Sequence, residues 1–171
     1  MAGIKSEMQP ETNKRVKVLV VEDNQLAQLI IQRRLTAEGY EVTLTASGRE
    51  AIALLRRDSP DVILLDLMMP EMSGEETLCH IRQMGDATPI IIVSAAISRD
   101  TLLRLQGLGA DGFIAKPIDF KRLKEEIQRV IETSQQRLRG QVDEVLTLGD
   151  DAEQEVTEEL GDKPGASPQD R

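Results

Sequence analysis

Short apolar runs rich in Val, Ile and Leu recur along this chain, and four of them end directly before polar residues. The residues at these four ends are Glu22 with Asp23, then Asp66, Ser94 and Lys116. Runs of this length and composition predict strands buried on both faces, which are typical of a parallel sheet. Because ligands bind outside the carboxyl ends of the strands in such sheets, we expect these five side chains to form one site.

Amphipathic segments separate the strands and predict five helices, with a further strand at residues 41–45. The predicted helices cover about residues 25–38, 48–57, 75–84, 99–108 and 120–131. One apolar face of the first helix consists of Leu26, Leu29, Ile30 and Leu35. Ser47 and Glu50 have the spacing of a capping box at the start of the second helix. Alternating strands and helices with right-handed crossovers predict a three-layer α/β sandwich.

The chemistry of the predicted site follows from its residue types. Clustered carboxylates repel one another, so they either share a proton or hold a hard cation. Oxygen ligands without His or Cys suit magnesium or manganese better than zinc. With the Ser94 hydroxyl and the Lys116 ammonium beside them, they are equipped to bind a phosphoryl group. No Gly-rich nucleotide loop is present, so the donor must come from elsewhere, and one carboxylate is the acceptor because Asp can carry a phosphoryl group covalently.

Four motifs in order resemble the receiver (response regulator) domain of two-component phosphorelay signalling. They lie at residues 20–24, 66–74, 92–95 and 109–117, and the resemblance extends from about residue 16 to about residue 131. It implies a flavodoxin-like αβα sandwich whose five-stranded parallel sheet has the strand order 2-1-3-4-5. It also implies a stand-alone, single-domain type of response regulator.

The same resemblance implies a role for each residue of the site. Asp66 would be the phosphoacceptor, assisted by Ser94 and Lys116, and Ser94 and Phe113 would form the switch. The peptide bond before Pro117 would be cis. The implied Mg²⁺ ligands are Glu22, Asp23, Asp66 and the backbone carbonyl of Met68. The protein would not be an enzyme beyond its self-catalysed phosphoryl acceptance and slow autodephosphorylation.

The resemblance also implies the partners. The donor would be a sensor histidine kinase or a histidine phosphotransfer protein, and a downstream protein would bind the phosphorylation-dependent surface. The alternative is a phosphorylation-independent binding or scaffold module that uses the C-terminal tail. The complete set of site residues favours the receiver. A magnesium-dependent phosphatase with an Asp nucleophile would need a second Asp two positions after Asp66, where Met68 stands.

Composition and charge argue against a membrane protein and against a nucleic-acid-binding protein. A single Cys79 and the lack of an apolar stretch of membrane-spanning length predict a cytoplasmic protein without a membrane partner. Residues 140–171 hold 2 basic and 10 acidic side chains, so this segment carries −8 of the net charge of −9. An acidic segment of this length is unsuited to phosphates, and aromatic residues for base stacking make up only 2% of the chain. We therefore do not expect direct nucleic-acid binding.

Three regions are predicted: a flexible leader at residues 1–15, the receiver at 16–132 and an acidic tail at 133–171. The fifth helix should end near Ile131, yet Leu138, Val142, Val145 and Leu146 continue with helical spacing. Gly140 within this segment opposes a helix. Two interpretations stay open: an ordered extension, helical to about residue 148, that binds a partner or forms a homodimer, and a frayed tail. After about residue 150 the composition predicts disorder.

Overall fold

The computed structural model describes residues 14–95 and 98–158, with side-chain environments as far as residue 141. Strands and helices alternate along it. The strands are β1 (Lys17–Val21), β2 (Glu41–Thr45), β3 (Val62–Asp66), β4 (Ile90–Ser94) and β5 (Gly112–Ala115). The helices are α1 (Gln25–Ala37), α2 (Gly48–Leu55), α3 (Gly74–Gln83), α4 (Arg99–Gly107) and α5 (Phe120–Glu158). The predicted alternation of elements is confirmed.

The five strands form one parallel sheet in the order β2-β1-β3-β4-β5. The central strand β3 pairs with β1 through Val62 opposite Val18, and with β4 through Ile63 opposite Ile90. Every residue of β3 and β4 is buried, as their continuous apolar runs predicted. The flavodoxin-like αβα fold is therefore confirmed.

Alternate residues of β3 belong to two separate hydrophobic cores. Val62 and Leu64 lie in a core with residues of α1 and α5, whereas Ile63 and Leu65 lie in a core with residues of α2, α3 and α4. Successive side chains of a strand point to opposite faces, so the sheet forms the middle layer of three. The helical residues of the first core are Ile31, Leu35, Leu123, Ile127 and Val130, and those of the second are Ala51, Leu55, Leu78, Ile81 and Leu105.

The apolar face predicted for α1 is not the face that packs on the sheet. Leu26, Leu29 and Ile30 are 68%, 59% and 48% exposed, whereas Ile31 and Leu35 are buried. At ~100° per residue, the first three lie roughly opposite Ile31 on the helix. Helix α1 therefore has apolar residues on both its buried and its exposed side. The prediction was wrong in assigning Leu35, which is buried, to the same face as Leu26, Leu29 and Ile30.

The capping box predicted for α2 is only half formed. The Ser47 hydroxyl accepts a hydrogen bond from the Glu50 amide at 3.3 Å, but the Glu50 carboxylate accepts one from the Ala46 amide at 2.9 Å instead of returning to Ser47. A complete capping box begins α3. There the Ser73 hydroxyl accepts from the Glu76 amide at 3.2 Å, and the Glu76 carboxylate accepts from the Ser73 amide at 2.8 Å.

Helix α5 runs past its predicted end near Ile131 and ends at Glu158. Glu, Gln, Arg and Leu favour helix over most of the added length, and the ~1 kcal/mol cost of Gly140 does not interrupt it. Residues 150–158 belong to this helix, whereas composition predicted disorder after about residue 150. The chain divides into two units between Glu132 and Thr133. Most of the predicted leader (1–13) and the end of the predicted tail (159–171) lie outside the described residues.

None of the helices in the described ranges is long and apolar enough to cross a membrane.

Candidate functional site

Three carboxylates meet at the carboxyl ends of the adjacent strands β1 and β3. Glu22 and Asp66 are 2% and 5% exposed, whereas Asp23 is exposed. One carboxylate oxygen from each of the three lies within 4.8 Å of the others. Parallel pairing of β1 with β3 ends both strands at the same edge, which brings together residues that are more than forty positions apart in the sequence.

The Lys116 side chain reaches this cluster from the end of β5. Its Nζ lies 2.8 Å from Glu22 Oε2 and 3.0 Å from Asp66 Oδ2, so one ammonium pairs with both buried carboxylates. The Lys116 amide donates a hydrogen bond to the Ser94 carbonyl at 2.9 Å. The Lys116–Pro117 peptide bond is cis, the isomer that the resemblance implied.

The neighbouring carboxylates favour the charged form of Lys116. Burial lowers the pKa of its ammonium, but hydrogen bonds and charge attraction from Glu22 and Asp66 outweigh burial, and the net result is a raised pKa. Lys116 is therefore a permanent cation at neutral pH. Because three carboxylates face a single ammonium, the cluster can accept a further cation.

Backbone amides orient the two buried carboxylates. Glu22 Oε1 accepts a hydrogen bond from the Asn24 amide at 3.1 Å, and Asp66 Oδ1 accepts one from the Met68 amide at 3.2 Å. Each carboxylate thus uses one oxygen for the backbone of its own loop and the other for Lys116. The Met68 side chain is 77% exposed. The role of its backbone carbonyl as a metal ligand stays a prediction.

Two residues that support the site escaped prediction from the sequence. The Gln28 side-chain amide donates through Nε2 to the backbone carbonyls of Glu22, at 2.6 Å, and Thr45, at 3.1 Å, and so connects α1 to the ends of β1 and β2. Gly74 lies directly against β3, because a Cβ atom there would be 2.2 Å from the Asp66 carbonyl oxygen. A glycine after the N-cap serine of α3 was a visible signal for this close approach, whereas nothing in the sequence marked Gln28.

Ser94 and Phe113 occupy positions that suit the predicted switch without demonstrating it. Ser94 is buried at the end of β4, one residue beyond the pair that Val93 forms with Asp66. Phe113 is half-buried in β5 and lines an open groove of about 370 Å³ between α4 and the first turns of α5. The coupling between the two side chains stays a prediction.

The donor set at this edge fits a hard divalent cation. Glu22, Asp23 and Asp66 supply carboxylate oxygens and no nitrogen or sulfur ligand takes part in the cluster. Such oxygen-only sets are what Mg²⁺ prefers, and Mg²⁺ commonly binds through one or two carboxylates and keeps several waters. The exposed Asp23 leaves one side of the cluster open for those waters or for a phosphoryl group.

A family model described as the response regulator receiver domain matches residues 18–128 of this chain. The chain belongs to the response regulator receiver domain family. The matched range includes all five site residues predicted from strand ends, together with Phe113 and Pro117. Receiver domains are generally signalling modules, and membership of this family is consistent with phosphorelay signalling.

Relatives and solved structures agree with this assignment. The response regulator MprA of Mycolicibacterium vanbaalenii is 33% identical over 154 residues, which cover 87% of this chain and 65% of the relative. The chain spans less than two thirds of the length of the curated relatives that it matches. The signal receiver domain of a putative LuxO repressor from Vibrio parahaemolyticus superposes with a TM-score of 0.68 at 34% identity, covering 72% of this chain and 95% of that one.

A second solved structure bears on the metal. The receiver domain of sensor histidine kinase PA1611 from Pseudomonas aeruginosa superposes with a TM-score of 0.63 at 32% identity, covering 69% of this chain and 98% of that chain. In that protein a magnesium ion is coordinated in the active site cleft.

Proposed function

We propose that this receiver accepts a phosphoryl group on Asp66 from a phosphohistidine and signals through a surface that changes on phosphorylation. The donor is a sensor histidine kinase or a histidine phosphotransfer protein. The observation that carries the proposal is the Lys116 ammonium, which pairs with both Asp66 and Glu22 at one open edge of the sheet. The cytoplasmic location predicted from composition and the slow autodephosphorylation implied by the resemblance remain part of this proposal.

The chemistry assigned to these residues is an in-line transfer. An Asp66 carboxylate oxygen attacks phosphorus, the bond from phosphorus to the donor imidazole nitrogen breaks, and the imidazole leaves with the bonding electron pair. The Lys116 ammonium and the Ser94 hydroxyl bind the phosphoryl oxygens. Glu22, Asp23 and Asp66 would hold Mg²⁺, which neutralises negative charge on the transferring group when bound. The magnesium ion described for the related PA1611 receiver supports this assignment.

Phosphorylation of Asp66 is tested by incubating the protein with Mg²⁺ and a small acyl phosphate, followed by intact-mass measurement. We expect one added phosphoryl group in the wild type and in Asp58→Asn, which alters an exposed aspartate remote from the cluster. We expect none in Asp66→Asn. A phosphorylated Asp66→Asn protein would show that another residue is the acceptor.

Magnesium binding is tested separately by thermal unfolding. A ligand that binds only the folded state stabilises it by mass action, by about 2.7 kcal/mol when its concentration is a hundred times its dissociation constant, and so raises the melting temperature. Asp23→Ala should lose most of the magnesium-dependent shift, because it removes the most accessible carboxylate of the cluster. Equal shifts in wild type and Asp23→Ala would place the magnesium site elsewhere.

The exposed side of α1 is our candidate for the surface that contacts the phosphodonor protein. Helix α1 begins two residues after Asp23, and Leu26, Leu29 and Ile30 form an exposed apolar patch there. A protein that brings a phosphohistidine to Asp66 must cover the surface around this edge. Grouped apolar side chains beside such a site are typical of interaction surfaces.

A substitution in this patch separates donor docking from chemistry. Leu29→Ser should slow phosphoryl transfer from a histidine phosphotransfer protein while leaving phosphorylation by a small acyl phosphate unchanged. Leu103→Ser on α4 is a matched control, because Leu29 and Leu103 are both 59% exposed. If the two variants behave alike with the protein donor, α1 does not form the docking surface.

A further inference from the structure

The second unit of the chain carries a heptad pattern that the receiver function does not use. From Leu138 onward, apolar or small residues recur at alternating spacings of four and three. Such spacing is typical of the seam of a coiled coil. These seam positions are Leu138, Val142, Val145, Gly149, Ala152 and Val156. All six lie within α5, and the Leu138 side chain is 56% exposed.

Charge along the same segment is divided by sign. Residues 133–141 contain Arg137 and Arg139 and no acidic residue. Residues 142–158 contain seven acidic residues and no basic one, namely Asp143, Glu144, Asp150, Asp151, Glu153, Glu155 and Glu158. A parallel pair of such helices would place the two acidic ends side by side. An antiparallel pair places the basic end of each helix beside the acidic end of the other.

We propose that residues 138–156 form an antiparallel two-helix coiled coil with the same segment of a second copy of this chain. The register follows from the seam, which is symmetric about Thr147. Leu138 faces Val156 and Val142 faces Ala152. The central layers pair Val145 with Gly149.

The flanking positions agree with this register. In the heptad that the seam defines, Arg139 and Glu153 each follow a seam residue by one position on the same side, and the antiparallel register places Arg139 of one copy beside Glu153 of the other. The two-fold symmetry makes this pair twice. Within one helix the two residues are 14 positions apart, about 21 Å at ~1.5 Å per residue, so they cannot pair there or in an in-register parallel dimer.

Self-complementary charge is the reason for choosing a second copy over an unrelated protein. An isologous interface requires that one surface match itself after a two-fold rotation, and a segment that is basic at one end and acidic at the other meets this requirement. The coiled coil should be weak and reversible, with a dissociation constant of roughly micromolar order, because Gly149 and Ala152 supply little apolar area to the seam.

Sedimentation of the full chain over a concentration series tests the seam. The wild type should sediment as a monomer–dimer equilibrium. Val145→Asp should raise the dimer dissociation constant roughly a hundredfold, because it places a carboxylate in an apolar layer. Thr147→Asp introduces the same side chain about 200° around the helix and should leave the equilibrium unchanged. A wild type that stays monomeric, or equal effects of the two variants, would overturn the proposal.

A charge-reversal cycle tests the antiparallel order. Arg139→Glu and Glu153→Arg should each raise the dissociation constant about tenfold, because each turns two attractive pairs into repulsive ones. The double variant should return to the wild-type value, with circular dichroism confirming unchanged helix content. Failure of the double variant to recover would refute the antiparallel register. Intact-mass phosphorylation of Asp66 is measured in parallel and should be the same for all variants, so its outcome is independent of dimerisation.

Discussion

Removing the Lys116 ammonium should destabilise the receiver by leaving two buried carboxylates without their cation. The perturbation is Lys116→Met, which keeps an unbranched side chain and removes the charge. The Glu22 and Asp66 side chains are 3% and 6% exposed, whereas the Lys116 side chain is 27% exposed. Breaking a fully buried ion pair costs ~3–5 kcal/mol, and partial access of water to Lys116 reduces this to about 2 kcal/mol. For a domain of this size that loss lowers the melting temperature by about 8 °C.

Magnesium should reduce the difference in melting temperature between the wild type and Lys116→Met. A cation bound by the same carboxylates takes over the role of the missing ammonium, so Mg²⁺ should raise the melting temperature of Lys116→Met more than that of the wild type. The assay is thermal unfolding of both proteins at neutral pH, with and without Mg²⁺. Lys124→Met is the control, because its partner Glu38 has a side chain that is 48% exposed, so breaking this ion pair leaves no buried carboxylate without a cation.

The contribution of Lys116 to folding stability should decrease at high pH. The folded-state pKa of Lys116 is raised above its ordinary value of 10.5, so its contribution to stability is complete below that value and is lost as the pH rises through the folded-state pKa. The difference between wild type and Lys116→Met should therefore be constant between about pH 6 and pH 9. Equal losses for Lys116→Met and Lys124→Met, or equal magnesium shifts in wild type and Lys116→Met, would refute the argument.

Three further predictions test the switch, the packing beside the site and a surface pair. Ser94→Ala should still be phosphorylated on Asp66, but phosphorylation should change its affinity for the downstream partner less than it does in the wild type. Identical partner affinities of the phosphorylated wild type and the phosphorylated variant would contradict this. Gly74→Ala should cost roughly 2–3 kcal/mol in urea unfolding, because its Cβ would lie 2.2 Å from a backbone oxygen; an unchanged midpoint would argue against that packing. A hydrogen bond from Arg129 outweighs burial and lowers the pKa of Glu126, so the stability difference between wild type and Glu126→Gln should be present at neutral pH and close on acidification through the folded-state pKa. A stability difference between wild type and Glu126→Gln that grows in acid would contradict a lowered pKa of Glu126.

The strand ends show how far the sequence alone predicts this molecule. Each buried strand is an apolar run long enough to be recognised locally, and the residue that follows it is plain from the sequence. Because parallel strands end at one edge, these local patterns suffice to place Asp66 and Lys116 together. The helices were harder to orient. Leu29 and Ile31 on α1 are equally apolar, and only packing against α5 and the sheet decides which of them is buried.

Capping and support around the site show the same limit. Ser47 with Glu50 and Ser73 with Glu76 have the same spacing, yet only the second pair forms the complete capping box. The two N-cap serines differ in backbone conformation, with φ of −153° at Ser47 and −65° at Ser73, and residue spacing does not encode this difference. Gln28 supports the end of β1 through two backbone carbonyls that come together only when β1 and β2 pair.

The sequence by itself determined the layer order, the family, the five residues at the sheet edge and the division of charge between the receiver and its tail. These features depend on local patterns of apolar and charged residues, which persist whatever the rest of the chain does. The tertiary structure decided that a single Lys116 ammonium joins Glu22 to Asp66, that Asp23 stays exposed, and that α1 presents an apolar side to solvent. Those features depend on distances between residues far apart in the chain, and such distances are set only when the two cores pack on the sheet.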